Sequence, residues 1–370
     1  MIVVAWWKLY LAFEKFVIVA LALSLGACGS KPEEPSFGLR KFHLTVKPEV
    51  LSGLAHTVDV KRPYPAKAHW GGKDYKVSIN YAGRSTRDAI KKSYDVTLVD
   101  HKVEGQGSLR LSSQFVDPTL LRSLIGFPAF GDYLVPTVEP VVLYLNNKYQ
   151  GLYQLIEVVN EDFFHNRGIE ITHLYKAKLA NAGFSLDFYN NVKGAFSSRI
   201  EPKTFGPLQY LYQLVLSADT DSYQKIVEIV DVDQVMAYAA TATYLKHWDG
   251  FNNNYFLARF KSDGKFRIIP WDLDRIYEST NQNKDSFPQR NALFAKLLSN
   301  EHNQTIYANH LAALKAGSST SKTALLAQLD QLKNRIQEAH LRDPYLQVSY
   351  SFEEDYSEIR QNISSWLDDL

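Results

Sequence analysis

The chain has 370 residues, 45% of them hydrophobic and 22% charged, a composition that buries a sizeable core and excludes a disordered tail, a collagen-like chain or a coiled coil. A balance of 41 Lys and Arg against 40 Asp and Glu leaves +1, so no overall field draws the protein to nucleic acid. One cysteine rules out an intrachain disulfide and a cysteine-based zinc site.

Lys8 and Lys15 precede an apolar run from Phe16 to Leu25. That run is too short to span a membrane, which needs about 20 apolar residues, and reads as the core of a signal peptide over residues 1–27. Leu25-Gly26-Ala27-Cys28 resembles the bacterial lipobox, in which the cysteine is acylated and becomes the mature N-terminus. Acyl chains worth about 0.8 kcal/mol per buried methylene would hold the protein on a membrane. The expectation is an extracytoplasmic lipoprotein anchored through Cys28, with residues 28–36 as a polar, Pro-containing tether.

The body, residues 37–370, is strand-rich first and helix-rich last. Phe42 to Val46 and Asp74 to Tyr81 alternate as strands do. Lys92, Tyr94, Val96 and Leu98 share one strand face, Lys91, Ser93 and Asp95 the other. Val138 to Leu145, a turn at Asn146-Asn147, and Tyr149 to Val158 read as a hairpin or as a strand running into a helix. From about residue 205 the spacing is helical, at Pro207 to Leu216, Ser222 to Val230, Asp233 to His247 and again from Asn291 to Leu370. The fold class expected is α+β, with a β-rich N-terminal lobe over about 37–160 and a larger helical lobe over about 161–370.

One hairpin interrupts the helices. Asn254 to Phe260 and Phe266 to Trp271 read as strands around Ser262-Asp263-Gly264-Lys265. With Asp263-Gly264 as a two-residue turn, Asn254 faces position 273 and Tyr255 faces Asp272. A slip of one residue still leaves Asn254 and Asp272 as neighbours, about 5–8 Å apart at Cβ. Asp249, Asn254, Asp272 and Asp274 then gather at one hairpin mouth. Three carboxylates and an amide suit Mg²⁺ or Mn²⁺. The spacing His247-x-Asp249-x-x-x-x-Asn254, a hairpin and then Asp272 also follows the order of the protein-kinase catalytic loop and its metal aspartate. Trp248 replaces the usual Arg there, and Leu273-Asp274 replaces Phe-Gly. The bland reading is an acidic hairpin end where Asp and Asn cap turns.

Several motifs together resemble the CotH kinases, a family of atypical bacterial spore-coat-type protein kinases. They are Trp248-Asp249-Gly250 through Asn254-Tyr255 and Ile269-Pro270-Trp271-Asp272-Leu273-Asp274. Others are Gly83-Arg84-Ser85-Thr86 followed by Lys91-Lys92-Ser93-Tyr94, Asn146 or Asn147 through Gly151, Tyr153 and Glu157, and the helix at Leu293 to Leu298. Ile90 stands where a proline often precedes the lysine pair. The resemblance implies a kinase-like two-lobed fold and an ATP- and metal-dependent phosphotransferase acting on Ser or Thr of exported or surface proteins. Asp249 would receive or orient the proton of the attacking hydroxyl. Asn254 and Asp272, with Asp274 as a further ligand, would hold Mg²⁺ or Mn²⁺.

A lysine of the Lys91-Lys92 pair would contact phosphates, steadied by Glu157. Alternation favours Lys91, because its face carries Ser93 and Asp95 rather than apolar residues. Gly83 and Ser85 would add contacts from their turn, Gly83 to Thr86 offering backbone N–H groups. An envelope glycan is the alternative acceptor. The rival from another class is a catalytically silent CotH-like module that assembles an envelope or coat layer by binding.

Overall fold

The computed structural model describes residues 34–56, 62–83, 86–131, 133–178, 181–279, 286–346 and 350–370. The signal-peptide segment with Cys28, and Ser85 of the first motif, lie outside them. Among the described residues no helix is long and apolar enough to cross a membrane.

Among the described residues seven strands precede residue 160: β1 (Arg40–Thr45), β2 (Tyr64–Trp70), β3 (Lys73–Tyr81), β4 (Tyr94–Leu98), β5 (Ser108–Ser112), β6 (Val138–Leu145) and β7 (Lys148–Glu157). They close into a barrel in the order β1-β2-β3-β4-β5-β7-β6. Closure comes from parallel pairing of β1 with β6, Arg40 opposite Val141 through Leu44 opposite Leu145. Alternation sends Phe42, Leu44, Ile79, Val96, Leu111 and Leu143 to a buried interior cluster, the period-2 pattern of a sheet with one buried face. The β6–β7 connection is the two-residue turn read from the sequence. Asn146 and Asn147 have φ of 51° and 62°, the left-handed pair that a type I′ turn requires and that Asn tolerates. The Asn146 side chain accepts from Val46 N and donates to Val46 O, both at 2.8 Å, which pins the turn to the end of β1.

A four-stranded sheet follows, made of β8 (Ile171–Ala177), β9 (Phe196–Ser198), β10 (Tyr255–Phe260) and β11 (Phe266–Pro270) in the order β11-β10-β8-β9. Helices cover it. The Ala-rich helix Val232–Tyr244 is buried over most of its length because small side chains let neighbours approach closely. Asp231 caps it by accepting from Gln234 N at 3.2 Å. The C-terminal helix Phe352–Asp369 buries Ile359, Ile363 and Trp366, and Trp366 Nε1 donates to the Thr243 carbonyl at 3.1 Å. The last barrel strand ends at Glu157 and the second sheet begins at Ile171, and residues 37–370 pack as one unit.

The hairpin differs from expectation in register. Tyr255 pairs with Pro270 and Arg259 with Phe266, two residues away from the two-residue-turn alignment. The connection is a longer loop, in which Gly264 N donates to Phe260 O at 3.1 Å and Phe260 N to Lys265 O at 3.0 Å. Trp271 N consequently reaches Asn254 O at 3.1 Å, and Asp272 follows directly.

Candidate active site

A cleft of about 520 Å³ opens where the barrel meets the second sheet, within the size range of small-molecule and cofactor sites. Its acidic wall is the hairpin mouth. The 3₁₀ turn Trp248–Phe251 enters β10, and the Gly250 carbonyl accepts from Tyr238 Oη at 2.8 Å. Glycine is required at position 250, since a Cβ there would lie 2.1 Å from the His247 ring. That ring is fully buried, and burial pushes its pKa down to about 4. The 3.3 Å approach of His247 Nδ1 to Asp249 Oδ1 is therefore a packed contact of a neutral imidazole rather than an ion pair.

Asn254 Nδ2 donates to Asp249 Oδ2 at 2.8 Å and to the Asp272 carbonyl at 3.3 Å. Two acceptors fix the amide's orientation and leave its Oδ1 as the atom available to a cation. Asp272 sits at φ +57°, a left-handed conformation that Asp tolerates. The bend swings Leu273 into the core, fully buried, while Asp272 itself stays exposed. Burial first, and the Asp272 carboxylate second, push the Asp249 carboxyl up to about 7. The same two causes, joined by Asp249, hold Asp274 well above the usual carboxylate range.

These oxygens suit a hard divalent cation. Among the described residues no three His, Cys, Asp or Glu side chains lie close enough to hold a metal by themselves. A Mg²⁺ ion, where one binds, takes one or two carboxylates and completes its shell with waters and substrate phosphates. Asp249 Oδ1 is buried without a hydrogen-bond partner, as expected of an oxygen reserved for a ligand.

Another part of the lining is cationic and aromatic. Arg110 on β5 lies 5.3 Å from the Trp271 ring centroid and Lys176 on β8 lies 4.8 Å from it. Arg110 is oriented by Asp95, whose Oδ1 accepts from its Nε at 2.9 Å and its Nη2 at 2.7 Å. Arg199, just past β9, has its pKa lowered by burial first and by Arg110 second, so an anion placed between them relieves like-charge repulsion. Ser123, in the first turn of the helix Leu121–Ala129, is 1% exposed, lines the cleft and has an unpartnered Oγ.

Of the residues singled out from sequence, the structure brings Asp249, Asn254, Asp272, Asp274 and Gly83 to this cleft. It places Lys91, Lys92 and Glu157 elsewhere. Lys91 Nζ is buried against Asp343 Oδ2 at 2.5 Å and the Leu152 carbonyl at 2.5 Å. Lys92 Nζ donates to the Arg87 carbonyl at 2.7 Å. Glu157 forms a two-pronged pair with Arg167, Nη1 to Oε1 and Nη2 to Oε2 at 2.8 Å each, and also accepts from Gln106 and Thr137 N. It steadies no phosphate lysine. Ser93 lines the cleft, but β4 starts at Tyr94, so strand alternation does not extend to Lys91 and does not carry its ammonium to the same place.

Arg110, Lys176 and Arg199 belong to none of the motifs read from the sequence. Their strands are short, and the signal available was a cation standing between apolar residues, as in Leu109-Arg110-Leu111. Glu157→Ala is expected to destabilise the fold by about 1–3 kcal/mol, because it removes the shared acceptor of Arg167, Gln106 and Thr137 N; a chemical denaturation curve would read it.

The model of the CotH kinase protein family matches residues 79–369, well over half of the chain. The protein belongs to this family. A curated relative, the inner spore coat protein H of Bacillus subtilis (strain 168), is 28% identical over 247 residues, which are 64% of this CotH chain and 68% of the relative. Among solved structures, the Helicobacter pylori proinflammatory kinase CtkA shares 11% identity over 84% of this chain and 90% of its own, with a TM-score of 0.28. The HipA–HipB toxin–antitoxin complex with operator DNA from Shewanella oneidensis MR-1 shares 12% identity over 92% of this chain and 72% of the neighbour, with a TM-score of 0.30. Superpositions at that level are too weak to define a common fold.

Proposed function

We propose that this CotH-family protein is an ATP- and Mg²⁺- or Mn²⁺-dependent phosphotransferase that phosphorylates Ser or Thr of exported or surface proteins. The carrying observation is one cleft lined both by an oxygen-rich group, Asp249, Asn254 and Asp272, and by a cationic group, Arg110, Lys176 and Arg199. A nucleotide triphosphate needs both: cations beside its phosphate oxygens and hard oxygen ligands for its metal. The bound cation would neutralise charge on the transferring phosphoryl group. Asp249, poised near neutrality, receives the hydroxyl proton at a carboxylate oxygen. Asn254 holds that carboxylate through its amide N–H, leaving the amide oxygen and Asp272 to the cation. Trp271, between Arg110 and Lys176, supplies a rigid ring against which both cations are ordered.

Calorimetry with Mg²⁺ and a non-hydrolysable ATP analogue tests the nucleotide reading. Binding should weaken about tenfold in Arg110→Met, the loss of one charge-assisted contact, and equal affinities would contradict the assignment. The second reading, a silent binding module, is favoured by one observation: neither Lys91 nor Lys92 reaches the cleft. It would show as nucleotide and metal held with no phosphate transferred.

Anchoring through Cys28 is part of the proposal and rests on the sequence motif. Cells fed labelled palmitate should incorporate label into the protein, and Cys28→Ser should remove it. An unlabelled native protein would overturn the lipoprotein reading.

A further inference from the structure

The Gly83…Lys91-Lys92 and Asn147…Gly151-x-Tyr153 motifs are left without a role if the phosphates are held by Arg110 and Lys176. Their residues meet around one buried contact. Lys91 Nζ donates to Asp343 Oδ2, and the two side chains are 10% and 2% exposed. Asp343 follows the helix Lys322–Leu341, and its Oδ2 also accepts from Leu152 N of β7 at 3.3 Å. Position 151 must be glycine for this to happen: its φ is +98°, and a Cβ there would lie 2.1 Å from Asp343 Oδ2. Two flanking bonds join the same elements, Tyr149 Oη to the Ala339 carbonyl at 2.7 Å and Tyr345 Oη to Gln150 Oε1 at 2.6 Å. The contact therefore ties the C-terminal region to the barrel across 252 residues of sequence.

What Lys91 holds is a segment with no strand or helix of its own. Residues 86–93 link β3 to β4 in turns and bends, and Thr86, Arg87 and Ser93 line the cleft. Backbone bonds hold it at Ala82 N to Ser93 O, 2.8 Å, and Ala89 N to Thr86 O, 3.1 Å, and side chains add to them. Lys92 Nζ donates to the Arg87 carbonyl at 2.7 Å, Arg87 Nε to the Gly83 carbonyl at 2.8 Å, and Tyr153 Oη to the Lys92 carbonyl at 2.9 Å. A buried ammonium and a buried carboxylate are expensive unless paired. The energetic stake in keeping Lys91 on Asp343 thus becomes a restraint on the pose of residues 86–93.

We propose that Asp343 is a positioning residue for this cleft: paired with Lys91, it clamps the 86–93 segment in the pose that receives the nucleotide. The proposal rests on the phosphotransferase reading of the cleft. It assigns the lysine of the Lys-Lys motif to holding the wall of the site rather than to touching phosphate.

The test uses the whole protein with Mg²⁺ and a non-hydrolysable ATP analogue, read by calorimetry and by amide hydrogen exchange. Three variants are compared. Asp343→Asn removes the charge, and Lys91→Met/Asp343→Leu replaces the pair by apolar groups so that the fold survives. Lys333→Met breaks the pair with Glu353 elsewhere on the same helix. Nucleotide affinity should fall about tenfold in the first two and stay within twofold in the third. Exchange at residues 86–93 should rise at least tenfold while the strands of the second sheet keep their protection.

Unchanged affinity in a folded double variant would overturn the proposal. So would exchange that rises evenly over the whole chain, the mark of plain destabilisation. Wild-type protein that binds no nucleotide would instead defeat the phosphotransferase reading, and local exchange at 86–93 would still decide the clamp.

Discussion

Asp249→Asn is expected to lower phosphotransfer by about a thousandfold, within the range for removing a positioned general base, while making the metal-free protein more stable above pH 7. The two effects share one cause. Burial and Asp272 push the Asp249 carboxyl up to about 7, whereas the unfolded chain releases that proton near the ordinary value of about 3.9. Between those values the folded state binds more protons than the unfolded state, so stability falls as pH rises and the full penalty is present above 7. Asparagine has no proton to lose, and its Oδ1 can still accept from Asn254 Nδ2. Each tenfold difference in acid strength between the folded and unfolded chain is worth about 1.4 kcal/mol, so the gain at pH 8 is on the order of 4 kcal/mol, shrinking towards pH 4. Thermal melts in chelator at pH 5 and pH 8 read it directly. Equal melting of the two proteins at pH 8 would mean that Asp249 ionises without penalty and is not poised as a base.

Lys91→Ala is expected to cost about 3–5 kcal/mol of stability, because it leaves Asp343 as an uncompensated buried charge. Burial lowers the Lys91 pKa and Asp343 raises it again, the balance expected when only the partner keeps the ammonium charged. His340 is held as a neutral ring, pushed down to about 4 by burial first and by Lys91 second. The apolar double replacement Lys91→Met/Asp343→Leu should recover most of the loss, since a buried pair exchanged for packed apolar groups is often neutral. Denaturant titration of the single and double variants gives the coupling. A single variant as stable as wild type would show that the pair is not buried in solution.

Much of the fold was legible because its elements carry strong local signals. β6 ends where Asn146-Asn147 demands a left-handed turn, and the helices after residue 205 show regular apolar spacing. Barrel closure was not legible: β1 meets β6 across about 100 residues, and no local pattern encodes a parallel pairing at that distance. The hairpin register failed on its loop, since a glycine at 264 fits a longer connection as well as a two-residue turn. At the site, the acidic wall could be read because Asp249, Asn254 and Asp272 sit on one contiguous hairpin. The cationic residues could not, since Arg110 on β5, Lys176 on β8 and Arg199 just past β9 are far apart in sequence and converge only in the folded chain. Lys91 shows the converse. A lysine pair beside a glycine turn carries the same sequence signal whether its partner is a phosphate or Asp343, and Asp343 lies 252 positions away.

The most direct test of the account is transfer from γ-labelled ATP by the purified protein, with Mg²⁺ or Mn²⁺, to itself or to a Ser-rich acceptor. Asp249→Asn and Asp272→Asn run alongside, each shown to be folded. Label is expected in the wild type, none without metal, and a loss of at least about a hundredfold in both variants. Label that persists in either variant would contradict the assignment of the hairpin mouth as the reacting centre, and a wild type that binds nucleotide and metal but transfers nothing would contradict phosphotransfer itself.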